Sequence, residues 1–258
     1  MTIFYFTATG NSLAAAKAIG KGVENAKLIS IPQIINQPDL SYQDDVIGLV
    51  YPIYGFGLPK MVRRFLENVS WEADYTFAVG TYGNEAGAAA RNVQRLAQTL
   101  GLRLDCSTTL LMVDNYLPGY EMGKQIATLP QKHVEEHLAQ IIAGVRARKA
   151  NQASANLVRR AMTAVIKGGE PLAMRGAQAQ GYLVSESCTQ CGACAKICPA
   201  GNISVGESVR FGDRCEWCLG CVHLCPQNAI HLKNERSAAR WRNPEVTLSE
   251  IIAANRQT

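Results

Sequence analysis

No apolar run in this 258-residue chain approaches the roughly 20 residues that a membrane-crossing helix requires, and the mean hydropathy is −0.04, so no membrane span is expected. The chain opens directly on the strand-like Thr2-Ile3-Phe4-Tyr5-Phe6 with no charged leader, and the expected compartment is the reducing cytoplasm, where disulfides do not persist. Two nucleotide signatures are missing as well: no Lys-Ser/Thr pair follows the first glycine-containing loop, and no Gly-x-Gly-x-x-Gly follows the first strand. Aromatic residues make up 7% of the chain and do not interleave with the basic ones. The formal charge of +5 is therefore read as solvated surface, and no nucleic-acid partner is expected. Cysteine is nearly absent before residue 188, where Cys106 stands alone as an expected small core residue.

The other cysteines fall in two copies of one spacing. The first run is Cys188, Cys191, Cys194, Cys198, then Pro199; the second is Cys215, Cys218, Cys221, Cys225, then Pro226. Each cysteine of the second run lies 27 residues after its counterpart, and Ile203 and Ile230 keep the same offset, which marks a duplicated unit. Two-residue gaps let three thiolates converge on one cubane cluster, while the fourth cysteine, just before the proline, reaches across to the other cluster. On that rule Cys188, Cys191, Cys194 and Cys225 hold one 4Fe-4S cluster, and Cys215, Cys218, Cys221 and Cys198 hold the second. Zinc sites built from Cys-x-x-Cys pairs would explain neither the third cysteine of each run nor the prolines. Over residues 182–232 the pattern resembles a bacterial two-cluster ferredoxin. His223 and Lys196, inside the motifs, either tune potential through charge or lie at the surface.

In residues 1–150, apolar β-branched runs at about 2–6, 27–31, 46–51, 76–81 and 108–113 alternate with helical spacings such as Val62, Phe65, Leu66, Val69 and Val93, Leu96, Ala97, Leu100. A last helix follows Pro130, with Val134, Leu138, Ile141, Ile142 and Val145 on one face. Five strands alternating with helices predict an α/β, doubly wound five-stranded parallel sheet, whose ligands sit beyond the carboxyl ends of the strands.

Those ends carry three distinctive loops. The first is Thr7-Ala8-Thr9-Gly10-Asn11-Ser12 before an alanine-rich helix, where hydroxyls and unpaired backbone N–H groups cradle a phosphate without Lys or Arg. The second runs from Tyr51 to Pro59 and the third from Gly80 to Gly87, each offering glycines for close backbone approach and an aromatic to lie against a flat ring. With these loops, residues 1–150 resemble a flavodoxin. The resemblance implies FMN, with Thr7, Thr9, Gly10, Asn11 and Ser12 on the phosphate and Pro52, Tyr54, Gly55, Thr81, Tyr82 and Gly83 bracketing the ring. All three loops lie before residue 90, so a fragment ending near Ala150 is expected to bind FMN unaided. Unlike acidic flavodoxins, this segment carries 14 Lys/Arg and 13 Asp/Glu.

The whole chain resembles the flavodoxin–ferredoxin fusion proteins of anaerobic bacteria, the EFR-type ferredoxins. The expected organisation is a flavodoxin-like domain at 1–150, a connector at 151–181, a small α+β two-cluster ferredoxin domain at 182–232, and a tail at 233–258. The connector reads as a short amphipathic stretch (Leu157, Val158, Met162, Val165, Ile166) and a glycine-rich turn at Gly168-Gly169. In the tail, Thr247-Leu248-Ser249-Glu250 reads as a capping box opening a short helix through Asn255. Such a chain is expected to pass low-potential electrons between two 4Fe-4S clusters and FMN, converting one-electron to two-electron transfer with redox proteins as partners. The alternative is an FMN-dependent reductase of a small organic substrate beneath Tyr54, Tyr82 and Tyr116. Tyr116 either overhangs the flavin or packs its own loop. The zinc-peptidase-like His133-Val134-Glu135-Glu136-His137 is expected to be a solvated helix face.

Overall fold

The structure, a computed structural model, describes residues 1–23 and 26–257, and for 169–180 the backbone alone. The strands Thr2–Tyr5, Lys27–Ser30, Val46–Pro52, Tyr75–Tyr82 and Cys106–Leu111 form one parallel sheet in the spatial order second, first, third, fourth, fifth. Each lies within two residues of the run expected from sequence. That order is the flavodoxin-like one, and its reversal beside the first strand leaves a crevice at the carboxyl ends of the first and third strands. Val46–Tyr51 is buried throughout, as a continuous apolar run in a sheet covered on both faces should be. Gly48 in this strand leaves room for the Phe77 ring, which would lie 2.3 Å from any Cβ there.

The helices Asn11–Val23 and Val134–Arg146 cover one face of the sheet, and Lys60–Asn68 and Ala89–Thr99 cover the other. A parallel pair, Ser41–Gln43 with Ser70–Glu72, and the helix Ile31–Ile34 have no counterpart in the sequence reading; elements of three or four residues are too short to show a period.

The connector departs from expectation. One helix, Leu157–Gln180, continues through Gly168-Gly169 and Pro171, so there is no turn there. The helix continues against local propensity, since each helical glycine costs about 1 kcal/mol and the interior Pro171 about 3 kcal/mol, while the Ala, Met and Leu around them are good helix formers. The apolar residues of its first turn are outward: Leu157 is 79% exposed and Val158 74%. The anchor is polar instead, with the buried Thr163 hydroxyl accepting from Ala88 N at 3.0 Å and Arg159 paired with Glu85 at 3.4 Å.

The cysteine-rich region is a pseudo-symmetric α+β unit. The strand Tyr182–Val184 pairs antiparallel with Ile230–Leu232, and Ile203–Val205 pairs with Val209–Phe211. Short helices Ala193–Ile197 and Gly220–His223 carry the third cysteine of each run at the same 27-residue offset. The last helix, Leu248–Asn255, opens on the expected capping box of Thr247 and Glu250. It locks the two units together: Ile251 joins Ile197 and Leu224 in the core on the first sheet face. Asn255 Nδ2 donates to Ile197 O (2.8 Å) and Gln257 Nε2 to Pro199 O (2.7 Å). Among the described residues, no helix is long and apolar enough to cross a membrane.

Candidate functional site

The three loops at the strand ends surround a cavity of about 810 Å3. Thr7, Thr9, Asn11, Ser12, Pro52, Tyr54, Gly55, Thr81, Tyr82 and Gly83 all line it, whereas Gly10 does not. Gly10 has φ +101 and faces the C-terminal segment, where a Cβ would lie 3.1 Å from Asn243 Cβ. Its glycine thus serves chain packing and not approach of a ligand.

The hydroxyls of the first loop have distinct fates. Thr9 Oγ1 accepts from Asn115 Nδ2 (2.7 Å), and Ser12 Oγ shares a hydrogen bond with Thr81 Oγ1 (2.8 Å). The Asn11 amide is spent on the frame, donating to Val113 O (3.0 Å) and accepting from Trp241 Nε1 and Asn243 Nδ2. Thr7 Oγ1 is enclosed and has no protein partner. A buried hydroxyl in that state is costly unless something in the cavity accepts from it.

In the second loop Gly55 and Phe56 both have positive φ, +51° and +63°, and cross-bonds between Tyr54 and Gly57 close a two-residue turn. The Tyr54 hydroxyl is also enclosed without a partner; burial first, then the neighbouring Cys218, Glu216 and Cys215, push it well above its ordinary pKa. In the third loop Gly83 is required, because a Cβ would lie 2.1 Å from the Asp114 backbone. Beneath it the buried Lys132 donates to Gly83 O (2.6 Å), Met112 O (2.7 Å) and Gln125 Oε1 (3.0 Å). Burial lowers the ammonium's pKa, opposed by Asp114. Nothing local in the sequence marks Lys132, since its partners are 7 to 49 residues away.

The cavity is also walled by residues beyond position 90. Val113 to Tyr116 and Tyr120 follow the fifth strand, Val165 and Ile166 come from the connector helix, and Glu216, Trp217 and Leu219 come from the cysteine-rich unit. Tyr116 lines the cavity while staying 47% exposed, so it overhangs the site. Glu216 is buried; its Oε1 accepts from Met61 N (3.0 Å), its Oε2 has no partner, and burial pushes the carboxyl up to about 7.

The structure brings Cys188, Cys191, Cys194 and Cys225 around one small cavity. Cys198 neighbours Cys215 and Cys218, and all three surround the buried Cys221. Backbone N–H groups approach the sulfurs in matching ways: Asn202 N to Cys198 Sγ and Ala229 N to Cys225 Sγ, both at 3.3 Å. Such bonds stabilise thiolates and tune cluster potential. Gly220, between Cys218 and Cys221, faces the first loop: a Cβ there would lie 3.5 Å from Ala8 O and 3.7 Å from Cys218 Sγ.

His223 is buried and structural, not a surface residue. Its Nε2 donates to Asn115 O (2.7 Å), its Nδ1 accepts from Trp241 N (3.1 Å), and burial holds its pKa down to about 4, so the ring is neutral. Through Asn115 it ties the cysteine-rich unit to Thr9. Lys196, His133 and His137 are exposed, and Cys106 is half-buried at the start of the fifth strand of the sheet.

Residues 182–204 match the family model of a 4Fe-4S binding domain. The chain therefore joins a flavodoxin-like domain, defined by its strand order, to a 4Fe-4S ferredoxin region. Among solved structures similar to it, a protein described as a flavoprotein from Bacteroides uniformis is 19% identical, with TM-score 0.34 over 43% of this chain and 89% of its own. The Trp repressor binding protein from Bacillus subtilis is 12% identical, with TM-score 0.33 over 56% of this chain and 94% of its own. A flavodoxin from the domain Archaea is 15% identical, with TM-score 0.29 over 55% and 97%. No curated protein matches the chain.

Proposed function

We propose that the chain is an electron-transfer iron–sulfur flavoprotein that holds FMN and two 4Fe-4S clusters and moves electrons between them within one polypeptide. The observation that carries this reading is the wall shared by the two sites: Glu216, Trp217 and Leu219, interleaved with Cys215 and Cys218, line the same cavity as the three strand-end loops. Bound clusters exchange single electrons and bound FMN holds one or two, so the combination converts one-electron into two-electron transfer.

The residues present fit these groups. Thr7 supplies a free hydroxyl to a phosphate at the start of the helix Asn11–Val23, with Thr9 and Ser12 shaping the cradle. Pro52, Tyr54, Gly55, Tyr82 and Gly83 form the slot for a flat ring. Eight thiols in two crossed sets of four are the donor set of two cubane clusters. Cys191 is exposed, whereas Cys218 is half-buried, acts electrostatically on Tyr54 and sits in the run whose Gly220 faces Ala8 O. The set containing Cys191 is accordingly the port for a redox partner, and the set containing Cys218 serves the flavin. In this scheme residues 1–150 form the flavin domain, 151–181 the connector, 182–232 the cluster domain, and 233–258 the clasp.

The test is anaerobic stopped-flow on the reconstituted full chain, carrying about eight iron atoms and one FMN. With a low-potential ferredoxin donor, flavin reduction should follow cluster reduction at a rate independent of protein concentration. The double variant Cys191→Ser, Cys218→Ser, assayed at saturating FMN, should lose that route. Equal rates without clusters, or a rate that scales with protein concentration, would replace the internal path by a partner-dependent shuttle. A reductase of a small organic substrate is favoured by one feature, the apolar cover of Phe56, Val165 and Ile166 over the cavity. Multiple-turnover oxidation of the reduced protein by one small molecule would promote that reading.

A further inference from the structure

We propose that Glu216 and Trp217, the two residues between cluster cysteines Cys215 and Cys218, are ring-recognition residues of the flavin site, so that the cluster loop reads the edge of the flavin directly. This rests on the proposed binding of FMN and adds to it a composite site that the first 150 residues do not complete.

The internal duplication provides the comparison. Glu216 and Trp217 correspond, at the 27-residue offset, to Thr189 and Gln190 of the first run. Gln190 and Trp217 share one backbone conformation, with φ +55° and +56°, a region uncommon for bulky residues. Their side chains diverge completely. Thr189 and Gln190 are exposed, and the Gln190 amide donates to Glu207 O at 3.0 Å. Glu216 and Trp217 turn onto the flavin cavity instead. Cluster binding alone is met by the first run without an acid or an indole at these positions, so their presence in the second run answers to the cavity.

Both carry an enclosed polar atom that no protein group meets, Glu216 Oε2 and Trp217 Nε1. Buried polar groups are ordinarily satisfied, and two unsatisfied ones on residues that border one cavity point to a ligand as the missing partner. Their chemistry specifies it. The indole N–H requires an acceptor, and the free carboxyl oxygen requires a donor when ionised or an acceptor when protonated, on a ligand flat enough for the slot. An imide edge, with N–H between two carbonyls, offers both, and the flavin ring carries one. The opposite carboxylate oxygen is already fixed by Met61 N (3.0 Å), so Glu216 is held in place before a ligand arrives.

The test uses the full chain with its clusters and measures FMN dissociation constants and the visible spectrum of the bound flavin. Trp217→Phe and Glu216→Gln should each weaken FMN by about 3–10-fold and shift the flavin bands at unchanged iron content. Gln190→Ala, the equivalent change in the first run, should leave both readouts alone. FMN methylated on the imide nitrogen probes the same contact without altering the protein. It should bind the wild type about 3–10-fold more weakly than FMN and show no further loss in Glu216→Gln, because both changes remove one interaction. If the wild type fails to bind FMN, the flavin reading itself falls. If it binds FMN, and both the variants and the methylated ligand match it in affinity and spectrum, the recognition role is overturned while the flavin reading stands.

Discussion

Replacing Lys132 by methionine tests the buried cation beneath the third loop. The substitution keeps the length of the stem and deletes an ammonium that bonds Gly83 O, Met112 O and Gln125 Oε1 at 2.6, 2.7 and 3.0 Å. A hydrogen bond from a charged donor contributes about 1.5–3 kcal/mol net, and a buried carbonyl left bare costs about 1–3 kcal/mol. Gly83 borders the cavity and regains part of its loss from water, while Met112 is buried and does not. Release of the ammonium's own desolvation offsets part of the total, leaving a net loss of about 2–4 kcal/mol. Urea unfolding of the apo chain, followed by far-UV circular dichroism, measures it, and FMN affinity should fall because Gly83 belongs to the proposed ring slot. The deficit should also depend on pH. Burial raises the pKa of Asp114 above 3.8, and Lys132 opposes that rise. Without the cation, the folded-state pKa climbs further, the native protein binds more protons than the unfolded chain, and stability falls as pH rises. The deficit of the variant should therefore shrink as pH is lowered and Asp114 takes its proton. A loss below about 1 kcal/mol with unchanged FMN affinity would refute the reasoning.

Cys198→Ser should perturb the optical and magnetic signals of the cluster assigned to Cys215, Cys218 and Cys221; a loss confined to the cluster of Cys188, Cys191 and Cys194 would show that this ligand does not cross. Thr7→Val removes the one enclosed first-loop hydroxyl without a protein partner, and equilibrium titration should find FMN about 3–10-fold weaker with the fold intact; an unchanged constant would place the phosphate elsewhere. Glu250 closes the last helix's capping box and pairs with Lys17 at 2.7 Å; its hydrogen bonds to Lys17 and Thr247 lower its pKa from 4.5 to about 2. Its contribution should be complete above pH 4.5 and vanish as pH falls toward 2, so Glu250→Gln and the wild type should converge in thermal stability only in acid; a constant difference across that window would count against the linkage.

The features legible in the sequence are those set by short-range spacing. Cys188-x-x-Cys191-x-x-Cys194 places three thiols on one turn of chain, and the 27-residue repeat carries the same geometry to Cys215, Cys218 and Cys221. The three central sheet strands, Thr2–Tyr5, Val46–Pro52 and Tyr75–Tyr82, show as buried apolar runs because both faces of a parallel sheet are covered, and Thr247-x-x-Glu250 announces its helix through two local hydrogen bonds. Tertiary structure alone decided how the cavity is completed. Asn11 reads as a phosphate ligand but bonds Trp241 and Asn243, more than 200 residues away, and Gly10 reads as a ligand-facing glycine but faces the same segment. Lys132 is anonymous within its own helical neighbourhood, and Glu216 and Trp217 look like filler between cysteines. The apolar residues of the connector predict a buried face, yet Thr163 is the residue that docks. In each case the partner comes from another part of the chain, and neither periodicity nor motif spacing encodes which distant segment will fill a space. The packing of the cysteine-rich unit and the last helix against the sheet settled that, by placing Gly220 against the first loop and Cys215 and Cys218 within electrostatic reach of Tyr54.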